Sequence, residues 1–292
     1  MALKEVKNIL KPQGELDVLY YYSQVSRVLE KFLAGREIAT KTVLKDFTFL
    51  KRGSNSPVLF IEDLRAVNNN MLELRKGHLD EVKDKLIEKK ILIWQYFVPR
   101  KMVNFFYACN GERQGKLIDR IFIDIDRQNY SQDDARKVCL ELVKIIKQDK
   151  EFNNLLKFKI FLMWTGSSFH IYLLLGKKIN LNFYKKYLSY GKNKNESFIM
   201  KWAAQISEKI KINVKAGHER EKRAIILDSS NTPSGKLARA PFSLHVSGYN
   251  KYDGIALPVS EQQLGDKNLI KKLKRISPEE VLKSLNKYSK LL

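Results

Sequence analysis

An α/β chain of the mixed, α+β kind is what the sequence predicts, on three observations. From residue 116 to 228, strand-like and helix-like segments follow one another as β-α-β-β-α-β. That is the split ferredoxin-like order, in which an antiparallel sheet carries helices on one face and leaves the other open for chemistry. Of the 292 residues 44 % are hydrophobic and 11 % aromatic, too apolar for a disordered chain and long enough for one large domain or two small ones. No internal repeat or low-complexity segment points to a solenoid.

Each element has a local reason. Residues 15–34 (ELDVLYYYSQVSRVLEKFLA) repeat apolar side chains at helical spacing and stop before Gly35. Residues 41–62 read as two short strands around the turn signal GSNSP, residues 78–90 as a helix, and ILIWQYFV at 91–98 as a buried strand closed by Pro99. Then come the strand LIDRIFIDID and a helix opened by Ser131 and Asp134 at capping-box spacing. The strands FKIFLMW and HIYLLLG follow, joined by a tight TGSSF turn, then a helix at about 198–211 and the strand RAIILD ending at 228. Ser277, Pro278 and Glu280 start a last helix. One domain over 1–292 is expected, with an N-terminal mixed lobe to about 115, a main lobe over about 116–260 and a helical tail over about 261–292.

Charge narrows the partner. Lys and Arg number 54 against 32 Asp and Glu, a net charge of +22 that would repel itself unless a polyanion is the usual partner. Nucleic acid and an anionic membrane both satisfy that condition. The cations are interleaved with aromatics, as in KDFTFLKRG and NFYKKYLSYGKNK, not gathered on one amphipathic helix, which favours nucleic acid and speaks against membrane. A lysine-rich, AT-biased genome would raise the charge too. Cys109 and Cys139, with four histidines, make no disulfide framework and no cluster at zinc spacing, so no zinc is expected. The first residues have no apolar signal core and no run approaches the roughly 18 apolar residues of a membrane span, which predicts a soluble, cytoplasmic protein.

In RIFIDIDR, alternation puts Ile121, Ile123 and Ile125 on one strand face and Phe122, Asp124 and Asp126 on the other. The two acids project side by side at a span a divalent cation bridges; a salt-bridged surface pair is the plainer alternative. Asp228 ends a second apolar strand, and in the β-α-β-β-α-β order it can join them as a third hard oxygen ligand for Mg²⁺ or Mn²⁺, or simply turn the chain with Ser229 and Ser230. The TGSSFH turn brings backbone N–H groups, Ser167, Ser168 and His170 where a phosphate could sit, or is a hairpin turn capped by a satisfied His. Lys236, Arg239, Ser243, His245 and Lys251 follow the third acid directly; they suit a triphosphate beside metal-bound carboxylates, or form a solvated basic loop.

In their order, spacing and strand context, Asp-x-Asp, TGSSFH, and Asp228 followed by RAPFSLH resemble the three motifs of the archaeo-eukaryotic primase superfamily, over about residues 115–258. LYYYSQVSRVLEKFLAGRE and FTFLKRG resemble the opening of the polymerase domain of bacterial and archaeal ligase D, the end-joining repair branch. The resemblance implies a primase-polymerase fold, an RRM-like catalytic lobe packed on an N-terminal mixed lobe. It implies a template-dependent nucleotidyltransferase using two Mg²⁺ or Mn²⁺ ions to extend a primer 3′-OH with dNTPs or rNTPs, either filling gaps in end joining or priming de novo. DNA, a ligase and an end-binding protein are the implied partners, at a prokaryotic nucleoid. Asp124, Asp126 and Asp228 match the metal-binding acids; Ser167 and His170 match the triphosphate turn, and Ser243 and His245 match positions near the triphosphate. At His245 ligase D polymerases commonly carry Arg and replicative primases His; Arg239 is also primase-like, yet the zinc cluster usual in replicative primases is missing. Lys51, Arg52, Lys236 and Arg239 are expected to hold phosphates. Phe47 or Phe49 is expected to stack on a base, with core packing expected for at least one of them.

Overall fold

The computed structural model describes residues 18–113, 115–190, 197–218, 223–249 and 251–292; the expected helix start at residue 15 lies outside them. Its strands in chain order are β1 (Ile38–Val43), β2 (Thr48–Lys51), β3 (Val103–Ala108), β4 (Ile118–Asp126), β5 (Phe158–Trp164), β6 (Phe169–Ile179), β7 (Val214–Ala216), β8 (Ile225–Asp228), β9 (Leu237–Arg239), β10 (Leu244–Gly248), β11 (Lys251–Ile255) and β12 (Leu257–Val259).

The main sheet runs β12-β5-β6-β4-β8-β7. Its inner four strands are antiparallel and stand in the order expected of a split β-α-β-β-α-β unit, with the first strand, β4, between the third and the last. β7 adds in parallel to one edge and β12 antiparallel to the other. Period-2 alternation works as expected: Ile121, Ile123 and Ile125 are fully buried, and the helix Gln132–Gln148 packs on β4 and β6. That helix begins with the capping box of Ser131 and Asp134. On the opposite face Phe122 meets Tyr172, and Phe32 from the first helix, Leu19–Leu33, wedges among Tyr107, Phe161 and Tyr172. One end of this face is thus an aromatic core; the other carries the acids.

A second sheet, β2-β1-β3-β9, stands over that core. β9 lies beyond Asp228 in sequence yet pairs with β3, so a strand from the second half of the chain completes the sheet that β1, β2 and β3 begin. β10 and β11 form a separate hairpin, pinned to the first helix by Tyr21 Oη donating to the Phe242 carbonyl at 2.8 Å.

Several N-terminal elements differ from expectation. Residues 91–98 are not a strand: a helix spans Glu88–Tyr96, with Ile93, Tyr96 and Phe97 fully buried at helical spacing. The buried strand of this region is β3, a few residues later. The β1–β2 turn is not GSNSP but the preceding residues, closed by Leu44 N–H donating to Phe47 O at 2.9 Å. The segment 78–90 breaks into Leu79–Val82, a 3₁₀ turn and the start of the Glu88 helix, and the C-terminal helix, capped by Ser277 as expected, breaks at Ser284 into Pro278–Lys283 and Leu285–Ser289. No helix of the described residues is long and apolar enough to cross a membrane.

Candidate active site

Sheet register assembles the polar end of the open face. One ladder row runs Met163, His170, Asp124, Asp228 across β5, β6, β4 and β8, so Asp124 has His170 on one side and Asp228 on the other. Directly opposed side chains on antiparallel strands stand about 4.5–5.5 Å apart at Cβ. His170 Nε2 lies 3.2 Å from Asp124 Oδ1. The His170 ring is buried edge-on against Phe122, and its Nδ1 has no partner among the described residues. Asp228 receives both of its bonds on Oδ1, from Tyr190 Oη at 3.0 Å and Ser230 N–H at 2.7 Å. Each of the facing carboxylates is therefore held by one oxygen, and neither Oδ2 has a hydrogen-bond partner among the described residues.

Asp126 behaves differently. It lies two residues further along the same face, but its Oδ1 accepts from Gln128 N–H (3.2 Å) and its Oδ2 from Gln128 Nε2 (2.8 Å), in a turn where Gln128 takes a left-handed φ of 48°. Among the described residues no three His, Cys, Asp or Glu side chains close around one point. Asp124 and Asp228 thus face each other across the ladder, while Asp126 is bonded to Gln128 in the turn that follows.

The cations divide in the same way. Arg239 projects from β9 over the Phe106 ring, its Nη1 donating to Asn104 Oδ1 and Leu244 O, both at 2.9 Å, and to Ser243 Oγ at 3.3 Å. Burial pulls its pKa down to about 10, partly offset by negative groups that include Asp124, so it stays a cation at neutral pH. His245 Nδ1 lies 3.0 Å from Asp253 Oδ2, which can only accept; burial, with the charge of Arg239, pushes the imidazole down to about 4 against the pull of Asp253. At neutral pH it is uncharged, so its Nδ1 proton is donated to Asp253. Lys236 is exposed at the entry to β9, and Lys251 is exposed at the start of β11.

Three expected ligands are occupied elsewhere. Ser168 Oγ donates to the Ile125 carbonyl, tying the TGSSF turn to β4, and the Ser243 hydroxyl, fully buried, accepts from Phe105 N–H and donates to Leu244 O. Arg52 is bound through Nε and Nη2 to Glu112 and through Nη2 to Gly235 O, so it ties chain segments together. The Ser167 carbonyl accepts from Arg127 Nε at 3.1 Å. Lys51 Nζ donates to Gln95 Oε1 at 3.0 Å and lies over the Tyr96 ring. Phe47 and Phe49 are 62 % and 40 % exposed on the β1–β2 hairpin, so neither packs in the core.

The backbone explains how the turn meets the hairpin. Gly166 has φ +97°, and a Cβ there would stand 2.6 Å from His245 Cβ; Gly254 faces it from β11. Only glycine permits this approach. Tyr190, His218, Asp253 and Gln128 were not identified from the sequence. Asp253 had a signal, an acid eight residues after His245 across a hairpin; the others are brought in by loops and carry none. Burial, with the charge of Asp228 adding to it, pushes the Tyr190 phenol up from its ordinary value and keeps it a donor.

The open-faced split sheet bearing the facing carboxylates thus stands against a second sheet that supplies a buried cation. No family model and no curated protein sequence matches the chain. Among solved structures it is similar to the polymerase domain of ligase D from Mycobacterium tuberculosis, solved in complex with DNA, at 15 % identity and a TM-score of 0.60 over 99 % of this chain and 95 % of that one. This chain has the fold of that domain.

Proposed function

We propose that the protein is a template-directed nucleotidyltransferase, extending a primer 3′-OH with nucleoside triphosphates and filling gaps at broken DNA ends. The observation that carries the reading is the Asp124–Asp228 pair. Two half-held carboxylates stand opposite each other, each with an oxygen turned from protein partners, beside a protein-braced cation and on a fold similar to a DNA-bound polymerase domain. Two bare like charges at this spacing repel, and hard oxygen donors of this kind suit Mg²⁺ or Mn²⁺.

Asp124 and Asp228 would hold the ions, joined by Asp126 once Gln128 lets it go. Bound divalent ions supply Lewis-acid stabilisation of the attacking and leaving oxygens. The chain's own residues do the rest. His170 fixes Asp124 by one oxygen, and Arg239, braced by Asn104 and Leu244, offers its remaining N–H groups to the triphosphate. His245, neutral, contributes a hydrogen-bonding ring nitrogen and no charge. In the reaction the primer 3′-oxygen bonds to the α-phosphorus, the α–β bridging P–O bond breaks, and pyrophosphate leaves. Exposed Phe47 and Phe49 offer stacking faces for a template base, and Lys51, Lys236 and the surrounding lysines give salt-dependent affinity with little sequence preference.

The test is nucleotide incorporation on gapped DNA with Mn²⁺, beside filter binding. Asp124→Asn is expected to lose incorporation by about 10²-fold or more while DNA affinity stays put. Incorporation surviving in Asp124→Asn sinks the proposal, and binding without incorporation in the parent protein reduces it to a nucleic-acid-binding module. A template supplied without primer separates gap filling from priming.

A further inference from the structure

We propose that Tyr190, backed by His218, is the positioning residue that sets Asp228 for metal binding. This rests on the reading of Asp228 as a metal ligand. The topology brings the three side chains together. β7 runs parallel to β8 with Ala216 opposite Leu227, so His218, two residues past the end of β7, emerges beside Asp228 at the end of β8. Tyr190 arrives from the other direction, just beyond the helix Leu181–Tyr187.

Proton counting fixes the direction of the chain of bonds. The Tyr190 hydroxyl has one proton, and a carboxylate can only accept, so that proton goes to Asp228 Oδ1, 3.0 Å away. His218 Nδ1, 3.1 Å from the same hydroxyl, must then be the donor, and its ring lies 5.7 Å from the phenol ring, which limits how the tyrosine can tilt. With Ser230 N–H also on Oδ1, the carboxylate cannot rotate without losing both bonds, and Oδ2 is left without a hydrogen-bond partner among the described residues, on a residue that stands opposite Asp124 in the ladder. Outer partners that orient a ligating group in this way contribute about 10–100-fold to metal affinity.

The experiment is an EPR titration of free Mn²⁺ with the full chain, with and without a non-hydrolysable nucleoside triphosphate, on Tyr190→Phe, His218→Ala and Asp228→Asn. Thermal melting serves as the fold control. Tyr190→Phe keeps the ring and removes the donor; its Mn²⁺ affinity is expected to fall about tenfold with melting unchanged, and its lost incorporation rate should return as Mn²⁺ is raised. His218→Ala should show a smaller loss of the same kind. A merely structural tyrosine would move melting and show no recovery with metal. Unchanged Mn²⁺ affinity in Tyr190→Phe, alongside a clear loss in Asp228→Asn, overturns this inference and leaves the site reading intact. Unchanged affinity in Asp228→Asn as well overturns both.

Discussion

Replacing Gly166 with alanine separates two kinds of strain that meet at the turn beside His245. At φ +97° an L-residue is disfavoured by about 1–2 kcal/mol. The added Cβ would also stand 2.6 Å from His245 Cβ, an atom fixed to the β10 backbone, with the Gly254 backbone 3.4 Å away. Relieving that overlap requires the turn and hairpin to part, an overpacking cost of about 1–3 kcal/mol. The expected total is about 2–5 kcal/mol. Gly115 is a natural control: its φ is +80°, but nothing lies within 4 Å of a Cβ built there. In urea unfolding Gly115→Ala should lose only the backbone part, about 1–2 kcal/mol, and Gly166→Ala should lose about 1–3 kcal/mol more. Equal losses in the two variants would falsify the close-approach argument. Incorporation should fall further in Gly166→Ala, because the hairpin it displaces carries His245 and borders Arg239.

Stability should also depend on pH through His245. Its folded pKa of about 4 lies below the ordinary 6.5, so between those values the unfolded chain binds a proton that the folded chain does not, and stability falls as pH drops through that window. The loss should approach about 3 kcal/mol by pH 4, read as a difference in urea midpoint between pH 7 and pH 4.5 that shrinks in His245→Asn; an unshrunk difference assigns the titration elsewhere. Phe47→Ala, at a residue 62 % exposed, should leave unfolding within about 0.5 kcal/mol of the parent and weaken single-strand template binding by about 1–3 kcal/mol in fluorescence anisotropy; unchanged binding removes the stacking role.

The main sheet was legible because period-2 alternation and buried strand runs carry their own direction. A one-residue slip of β4 would have turned Asp124 into the helix-packed side, so pattern alone fixed which face holds the acids. The N-terminal lobe was harder. ILIWQYFV is continuous in apolar character, and nothing local separates a buried strand from a helix there; the answer lies in β3, which takes the central place between β1 and β9 and leaves 91–96 to pack as a helix. The β9 pairing could not be read at all, since three residues joining a distant sheet leave no period.

Within the site, the same distinction decides what was readable. Carboxylates on a strand reveal their face through spacing, but hydroxyls do not reveal their partner: Ser168 and Ser243 look like phosphate ligands in sequence and serve as pins on nearby backbone carbonyls, the bond that short polar side chains make most easily. Asp126 shows why an acid two residues along the same face is not equivalent to Asp124. Asp124 sits mid-ladder, where strands on both sides occupy its backbone and present it with His170 and Asp228. Asp126 stands at the end of β4, where the turn supplies Gln128 N–H and Nε2 as immediate partners. Those bonds are local and exposed, each worth about 1 kcal/mol net, whereas a divalent ion between carboxylates offers a far stronger competing attraction. Because its Gln128 partners lie in the turn after β4 and not in the ladder, Asp126 could swing toward the facing pair without any movement of the sheet, so an acid at a strand end is free to respond to a ligand in a way that a mid-ladder acid is not.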